Sequence, residues 1–151
     1  VCRGMSMQVF EHRMLADVWP YGHDLPSEKG YPAIFDKMNY WVLFIKGVPV
    51  GYTGSLDMGN FIFVGNTYIS KPHRKNGNHS FLLSERNKKL PEKPKITILN
   101  PIEESQMFHL VKVVERLGYR PVYNYDDVAD IMDKEFYHKL LNAEQQIWRM
   151  D

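Results

Sequence analysis

Apolar and polar positions follow two periods along this chain, and together they lay out most of its elements. Trp41 to Ile45 is a continuous apolar run of strand length, and Val50 to Leu56 reads as a second strand. Lys46-Gly47-Val48-Pro49 between them is turn material, so the pair predicts a hairpin. Asp57 to Asn60 turns again, and Phe61 to Ile69 is a third strand whose internal Gly65 marks a bulge or a close backbone approach. A polar stretch from Lys71 to Asn78 leads into a helix from about His79 to Leu90, with Lys88 and Lys89 at its C-terminal end and Pro91 closing it. Lys95 to Leu99 is a short strand. Met107, Leu110, Val111, Val114 and Leu117 recur at helical spacing, predicting a helix over Glu103 to Leu117. Its acidic start at Glu103 and Glu104 and its stop at Gly118 agree. Tyr119 to Tyr125 reads as a strand, Asp127 to Leu141 as a helix buried through Val128, Ile131, Phe136 and Leu140, and Gln146 to Met150 as a last strand. Before the hairpin, Met7 to Glu11 suggests a strand and Arg13 to Trp19 a helix stopped by Pro20. Tyr21 to Pro32 reads as a loop and Ala33 to Met38 as one or two helical turns. The order is that of the α/β (α+β) class, a mixed sheet with helices packed on it.

Composition narrows this picture. The chain has 151 residues, 44% of them hydrophobic and 13% aromatic, enough for a real core and about the size of one domain. No repeat or long linker interrupts it, so a single domain over residues 1–151 is expected. The formal net charge of +1 excludes a strongly basic arm or an acidic tail. The single cysteine, Cys2, rules out a disulfide within the chain and fits a reducing, cytoplasmic setting. No apolar run approaches the ~20 residues needed to span a bilayer, so no membrane association is expected. No signal-peptide pattern is present. The chain opens on Val1, and Met5 or Met7 is expected to lie closer to the natural start, with residues 1–6 disordered or non-native.

The informative chemistry lies from Ile69 to Leu83, where a strand runs into a glycine-containing polar turn that opens directly into a helix. The first backbone N–H groups of a helix have no internal partner and lie at the positive end of its dipole, so such a turn receives phosphate. Arg74 and Lys75 add charge, and Gly77 lets the backbone come close to a pyrophosphate. The blander alternative is a surface turn with solvated basic residues ahead of an ordinary helix.

This segment resembles the acetyl-CoA loop of the GNAT superfamily of N-acetyltransferases, whose pattern is Arg or Gln, two residues, Gly, one residue, then Gly or Ala. Here the positions are Arg74, Gly77 and His79, the last a departure from the usual small residue. Leu117-Gly118-Tyr119 is similar to the signature that leads into the family's sixth strand, and the resemblance covers roughly Trp41 to Tyr125. It implies a mostly antiparallel sheet splayed in the middle, with helices on both faces and pantetheine inserted at the splay, Gly65 supplying the bulge that helps open it. It further implies that Tyr68, Ile69 and Ser70 meet pantetheine, while Arg74, Lys75, Asn76, Gly77, Asn78 and His79 meet the pyrophosphate. Acetyl-CoA is then the cosubstrate, an unidentified primary amine the acceptor, and no metal is called for.

The family's usual catalytic residues are not at their positions. Phe63 stands where a glutamate often serves as base, and Val114 where a tyrosine often serves as acid. Backbone amides near Ile69 can still polarise a thioester carbonyl, since they need no particular side chain. Substitutes on bordering segments are Asp57, Tyr68, Asn100, His109, Tyr123 and Tyr125, each with a plain structural reading beside the chemical one.

Other constellations are weaker. The six histidines form no zinc pattern with cysteines, and Asp126, Asp127, Asp130 and Asp133 lack the glycine and terminal glutamate of a calcium loop. The basic run Lys71, Arg74, Lys75, Arg86, Lys88, Lys89, Lys93 and Lys95 is interleaved only by Phe81, poor support for base stacking. Three function classes stay open: an N-acetyltransferase, a GNAT-fold protein without catalysis serving as a binding or structural component (of a tailed phage, for one), and a nucleic-acid-binding domain. Oligomerisation is open too.

Overall fold

A computed structural model of the chain describes residues 7–12, 38–99, 107–141 and 146–151. Its strands are β1 (Met7–His12), β2 (Asn39–Ile45), β3 (Val48–Asp57), β4 (Ile62–Ile69), β5 (Lys95–Leu99), β6 (Arg120–Pro121) and β7 (Gln146–Met150). Its helices are α1 (Asn78–Lys89), α2 (Met107–Leu117) and α3 (Lys134–Leu141). The seven strands hydrogen-bond in the order β1-β2-β3-β4-β5-β7-β6. The pairs β1/β2, β2/β3, β5/β7 and β6/β7 are antiparallel and β4/β5 is parallel, so the sheet is mixed and mostly antiparallel, in an α/β domain class. The chain groups into two compact units, one of Val1–Leu56 with Gly65–Leu90 and one of Asp57–Val64 with Pro91–Asp151.

In the first unit the hairpin turn is tighter than the sequence suggests. Lys46 and Gly47 alone make it, with φ of 51° and 77°, and Ile45 already pairs with Val48. Two successive left-handed residues match the twist of the flanking strands. Val48 and Pro49 therefore belong to β3. The register then slips between Leu43 and Phe44, next to Pro49, which has no N–H to give to a ladder. Met7, Val9, Trp41, Leu43, Val50, Ile69 and Leu82 form one buried cluster that holds α1 against these strands. Polar groups inside this layer are matched: the Trp41 indole N–H donates to Ser55 Oγ at 2.9 Å, and the Thr53 and Thr67 hydroxyls share a 2.7 Å hydrogen bond. Gly51 is required by close packing, since a Cβ there would lie 2.8 Å from the Tyr68 carbonyl oxygen and 2.6 Å from Ile69 Cδ1.

In the second unit β4 begins beside β5, with Ile62 opposite Lys95 and Phe63 opposite Ile96. The amphipathic α2 buries Val113 and Val114, and Gly118 (φ 100°) ends it while the Tyr119 N–H donates to the Val114 carbonyl at 3.0 Å. Two expectations need correcting here. The strand from Tyr119 to Tyr125 shrinks to Arg120–Pro121, because the N–H groups of Tyr123 and Asn124 turn to Asp127 Oδ2 at 2.8 and 3.3 Å. Asn124 and Asp127 close a capping box around a 3₁₀ turn at Tyr125–Asp127. The helix expected over Asp127 to Leu141 starts only at Lys134, since Asp133 Oδ1 accepts the Phe136 N–H at 2.7 Å and acts as its cap. Val128, Ile131 and Leu140 are nonetheless buried. Arg149, its side chain 7% exposed, donates bidentately to Asp130 and through Nε to Asp151.

The expected helix at Arg13 to Trp19, the loop at Tyr21 to Pro32 and the start of the predicted helix at Glu103 lie outside the described residues, as do residues 1–6 and Asn100. Of the turns expected at Ala33 to Met38, only Met38 is described, and it is buried and not helical.

Candidate functional site

The turn after β4 is built to a specific shape. The Ser70 N–H donates to the Val50 carbonyl at 2.9 Å, fixing the strand end. Lys71–His73 make a 3₁₀ turn with proline near its start, and the chain then extends through Arg74. Lys75 (φ 63°) and Gly77 (φ 84°) are both left-handed, one on each side of Asn76. Gly77 is the N-cap of α1 and brings no side-chain cap to it. The first turn of α1 carries no acidic residue, and Arg86, Lys88 and Lys89 sit in its last turn, so its side chains leave the positive end of the dipole uncompensated.

The named residues divide by role. Asn78 is buried, and its Nδ2 donates to the His73 carbonyl at 3.0 Å, tying the helix start to the 3₁₀ turn. The Asn78 N–H donates to Asn76 Oδ1 at 3.4 Å. Arg74 folds back, its Nε donating to the Ile69 carbonyl at 2.6 Å and its guanidinium lying 5.4 Å from the Tyr68 ring centroid. Its two terminal nitrogens make no hydrogen bond with described residues and are free to serve an anion. Tyr68 stacks on Tyr52 with centroids 5.7 Å apart. Ile69 is buried, Ser70 and His79 are half-buried, and Lys75, Asn76 and Gly77 are exposed.

Asp57, His109, Tyr123 and Tyr125, the described candidates for proton transfer in the second unit, are each engaged by a neighbour or exposed. Asp57 sits at the exposed end of β3, where Lys93 Nζ meets both its oxygens at 2.9 Å and the Gly59 N–H a third time at 2.9 Å. These bonds, the one from Lys93 foremost, hold its carboxyl below the usual range and make it a poor base. His109 and Tyr123 are exposed, and the Tyr125 hydroxyl donates to the Met132 carbonyl at 2.7 Å. Phe63 and Val114 are 1% and 5% exposed, so each is core at its position. A cavity of about 510 Å³ in the second unit is bordered by Phe61, Phe136, Asp130 and Asp133, but Arg149 and the α3 cap already engage those carboxylates.

Four residues of the first unit, Arg86, Thr53, Thr67 and Asn66, hold places that the sequence pattern does not assign to them. Arg86 was counted in a basic run, yet it is 2% exposed and donates to Thr53 Oγ1 at 2.7 Å. Lys95 is buried as well, Lys93 is held by Asp57, and Lys89 donates to the Val9 carbonyl at 2.7 Å, so the run is dispersed. Thr53 and Thr67 were missed because hydroxyls in a strand carry no pattern of their own. The left-handed residue within β4 is Asn66 (φ 55°), not the neighbouring Gly65. Asparagine is the side-chain-bearing residue that tolerates this region best, so an Asn beside a Gly in a strand was the available signal.

Strands in this order, with a parallel β4/β5 pair and a glycine-containing turn between β4 and α1, define a GNAT-like fold. Solved structures agree. The chain is similar to N-acetylglutamate synthase from Neisseria gonorrhoeae, solved with coenzyme A and N-acetyl-glutamate (TM-score 0.62, 10% identity, 95% of this chain and 35% of that one). It is also similar to an acyl-CoA N-acyltransferase from Pseudomonas aeruginosa (0.59, 13%, 97% and 100%) and to ElaA from Escherichia coli (0.59, 12%, 96% and 99%). No protein-family model matches the sequence, and neither does any curated protein. No helix among the described residues is long and apolar enough to cross a membrane.

Proposed function

We propose that this chain binds acetyl-CoA and transfers its acetyl group to a primary amine. The observation that carries the reading is the turn itself: a left-handed Gly77 opens α1, whose first turn holds no acidic residue, and the terminal nitrogens of Arg74 bond to no described residue. The pyrophosphate would lie over Arg74 to His79, and backbone groups of Tyr68 to Ser70 would meet pantetheine. The fold's presence in a coenzyme A complex supports the same assignment.

Without a tuned base, the acceptor must arrive as free amine. Lysine-type amines have a pKa near ~10.4 and α-amines near ~8, so at neutral pH an α-amine offers on the order of 200-fold more free base. The test is incubation with acetyl-CoA and a panel of amines and dipeptides from pH 6 to 10, following thiol release and product mass. α-Amines should be preferred, and the rate should climb with pH to about the amine's pKa. A flat profile would show that a base exists.

The buried Phe63 and Val114 favour a second reading, a GNAT-fold protein that binds without catalysis. Tight acetyl-CoA binding with no product from any amine would establish it.

A further inference from the structure

We propose that Asn66 receives and orients the acceptor amine, an inference that rests on the transferase reading above. Asn66 holds a left-handed backbone inside a strand, whereas Lys46 and Lys75, the other non-glycine residues with positive φ among those described, lie in turns. Such a conformation costs about 1–2 kcal/mol in most L-residues, less in asparagine, and persists where its surroundings impose it. The side chain does not repay that cost with strong bonds. Its Nδ2 reaches a methionine sulfur, Met38 Sδ, at 3.2 Å and the Tyr40 hydroxyl at 3.5 Å, a weak acceptor and a limiting distance. Its Oδ1 accepts from no described residue, and the residue is half exposed.

Its surroundings suit a reacting centre. Asn66 shares its strand face with Tyr68, which stacks on Tyr52 and carries the Arg74 guanidinium over its ring. From Ile69 back to Asn66 the strand runs about 10 Å, so an acyl arm anchored at the turn and lying along β4 would carry its thioester toward this residue. Gly54 lets β3 pack closely here: a Cβ there would lie 2.9 Å from Met38 Cε and 3.2 Å from the Gly65 carbonyl oxygen.

A carboxamide oxygen can accept one N–H of a neutral amine and leave its lone pair aimed at the thioester. The amine nitrogen then bonds to the carbonyl carbon, the C–S bond breaks with its electron pair going to sulfur, and the amine's proton ends on that sulfur. The products are an N-acetyl amide and the free thiol of coenzyme A. The carboxamide takes no proton, so it holds the amine without acting as its base.

Asn66→Gly tests this, because glycine keeps the backbone without strain and removes the side chain that carries the carboxamide. The readouts are Tm, acetyl-CoA affinity by calorimetry, and kcat and KM for the dipeptide that the unaltered protein acetylates best. Tm should hold or rise, and acetyl-CoA affinity and the pH limb of the rate should not move. The acceptor KM should rise about tenfold, the worth of one hydrogen bond of roughly 1.4 kcal/mol. An unchanged KM and kcat would overturn the inference alone, and so would a parallel loss of acetyl-CoA affinity, which marks a structural role. An unaltered protein that acetylates nothing would overturn the transferase reading and this inference with it.

Discussion

Val114→Asp places a carboxyl group in the layer beneath α2, at the position where the resemblance leads one to look for a catalytic tyrosine. Val114 is 5% exposed, and among the described residues of its helix only Val113 is buried with it. Removing the valine side chain forfeits about 2 kcal/mol of burial. The aspartate must also be held neutral or be hydrated by opening the helix. Keeping a group of pKa ~3.9 protonated at pH 7 costs about 4 kcal/mol, at 1.36 kcal/mol per pH unit. The sum, about 6 kcal/mol, is an upper figure that local fraying of α2 will lower, and it is comparable to the whole stability of many domains. The sign with pH follows from a folded pKa raised above the unfolded one. The penalty is full at neutral pH and shrinks as pH falls toward ~3.9, to about 1 kcal/mol of protonation cost at pH 4.5. Urea unfolding of the variant and the parent at pH 7 and pH 4.5 measures both values. Phe108→Asp, on the same helix but 72% exposed, is the control and should shift stability by less than about 1 kcal/mol. A Val114→Asp protein as stable as its parent, or a penalty independent of pH, would refute the register of α2 and reopen the position of the acid.

Two further outcomes follow from the second unit. The Asp130 carboxyl is held below its usual range, chiefly by the hydrogen bonds from Arg149, so its contribution is present above the unfolded pKa and lost as pH falls through the lower folded value. Asp130→Asn should therefore lower Tm at pH 7 and leave a gap that narrows only below about pH 4; a gap constant from pH 7 to pH 2 would contradict the pairing. The Trp148 indole N–H is buried with no hydrogen-bond partner among the described residues, so Trp148→Phe removes a donor that none of them meets along with ring area. It should cost less than about 1 kcal/mol in urea unfolding, and a loss above about 3 kcal/mol would mean that the N–H is satisfied after all.

The sheet was largely legible because its strands are apolar runs bounded by glycine, proline and charge. Lys95–Leu99 and Gln146–Met150 match residue for residue, and β2 and β4 to within two residues. Periodicity failed where short polar side chains compete with the backbone ladder. Between Tyr119 and Asp133 the apolar pattern is continuous enough for a strand and a helix, yet Asp127 and Asp133 capture the N–H groups that those elements would need. At the site, the turn could be read from Arg74 and Gly77 because both carry positional meaning. The fold-back of Arg74 onto Ile69 and the inward turn of Asn78 depend on how side chains settle in an irregular turn, the burial of Arg86 on the distant Thr53, and the left-handed Asn66 on a backbone angle. No spacing rule reports these.

Calorimetric titration of the protein with acetyl-CoA, alongside Arg74→Glu and Gly77→Val, tests the turn directly. Arg74→Glu reverses charge where the pyrophosphate would lie, and Gly77→Val puts a β-branched side chain at a φ of 84° where the backbone must come close. The unaltered protein should bind, and each substitution should weaken binding by at least about 100-fold, a loss of roughly 3 kcal/mol, while the fold persists by circular dichroism. Equal affinity in all three proteins, or no binding by the unaltered one, would show that this turn is not a coenzyme A site.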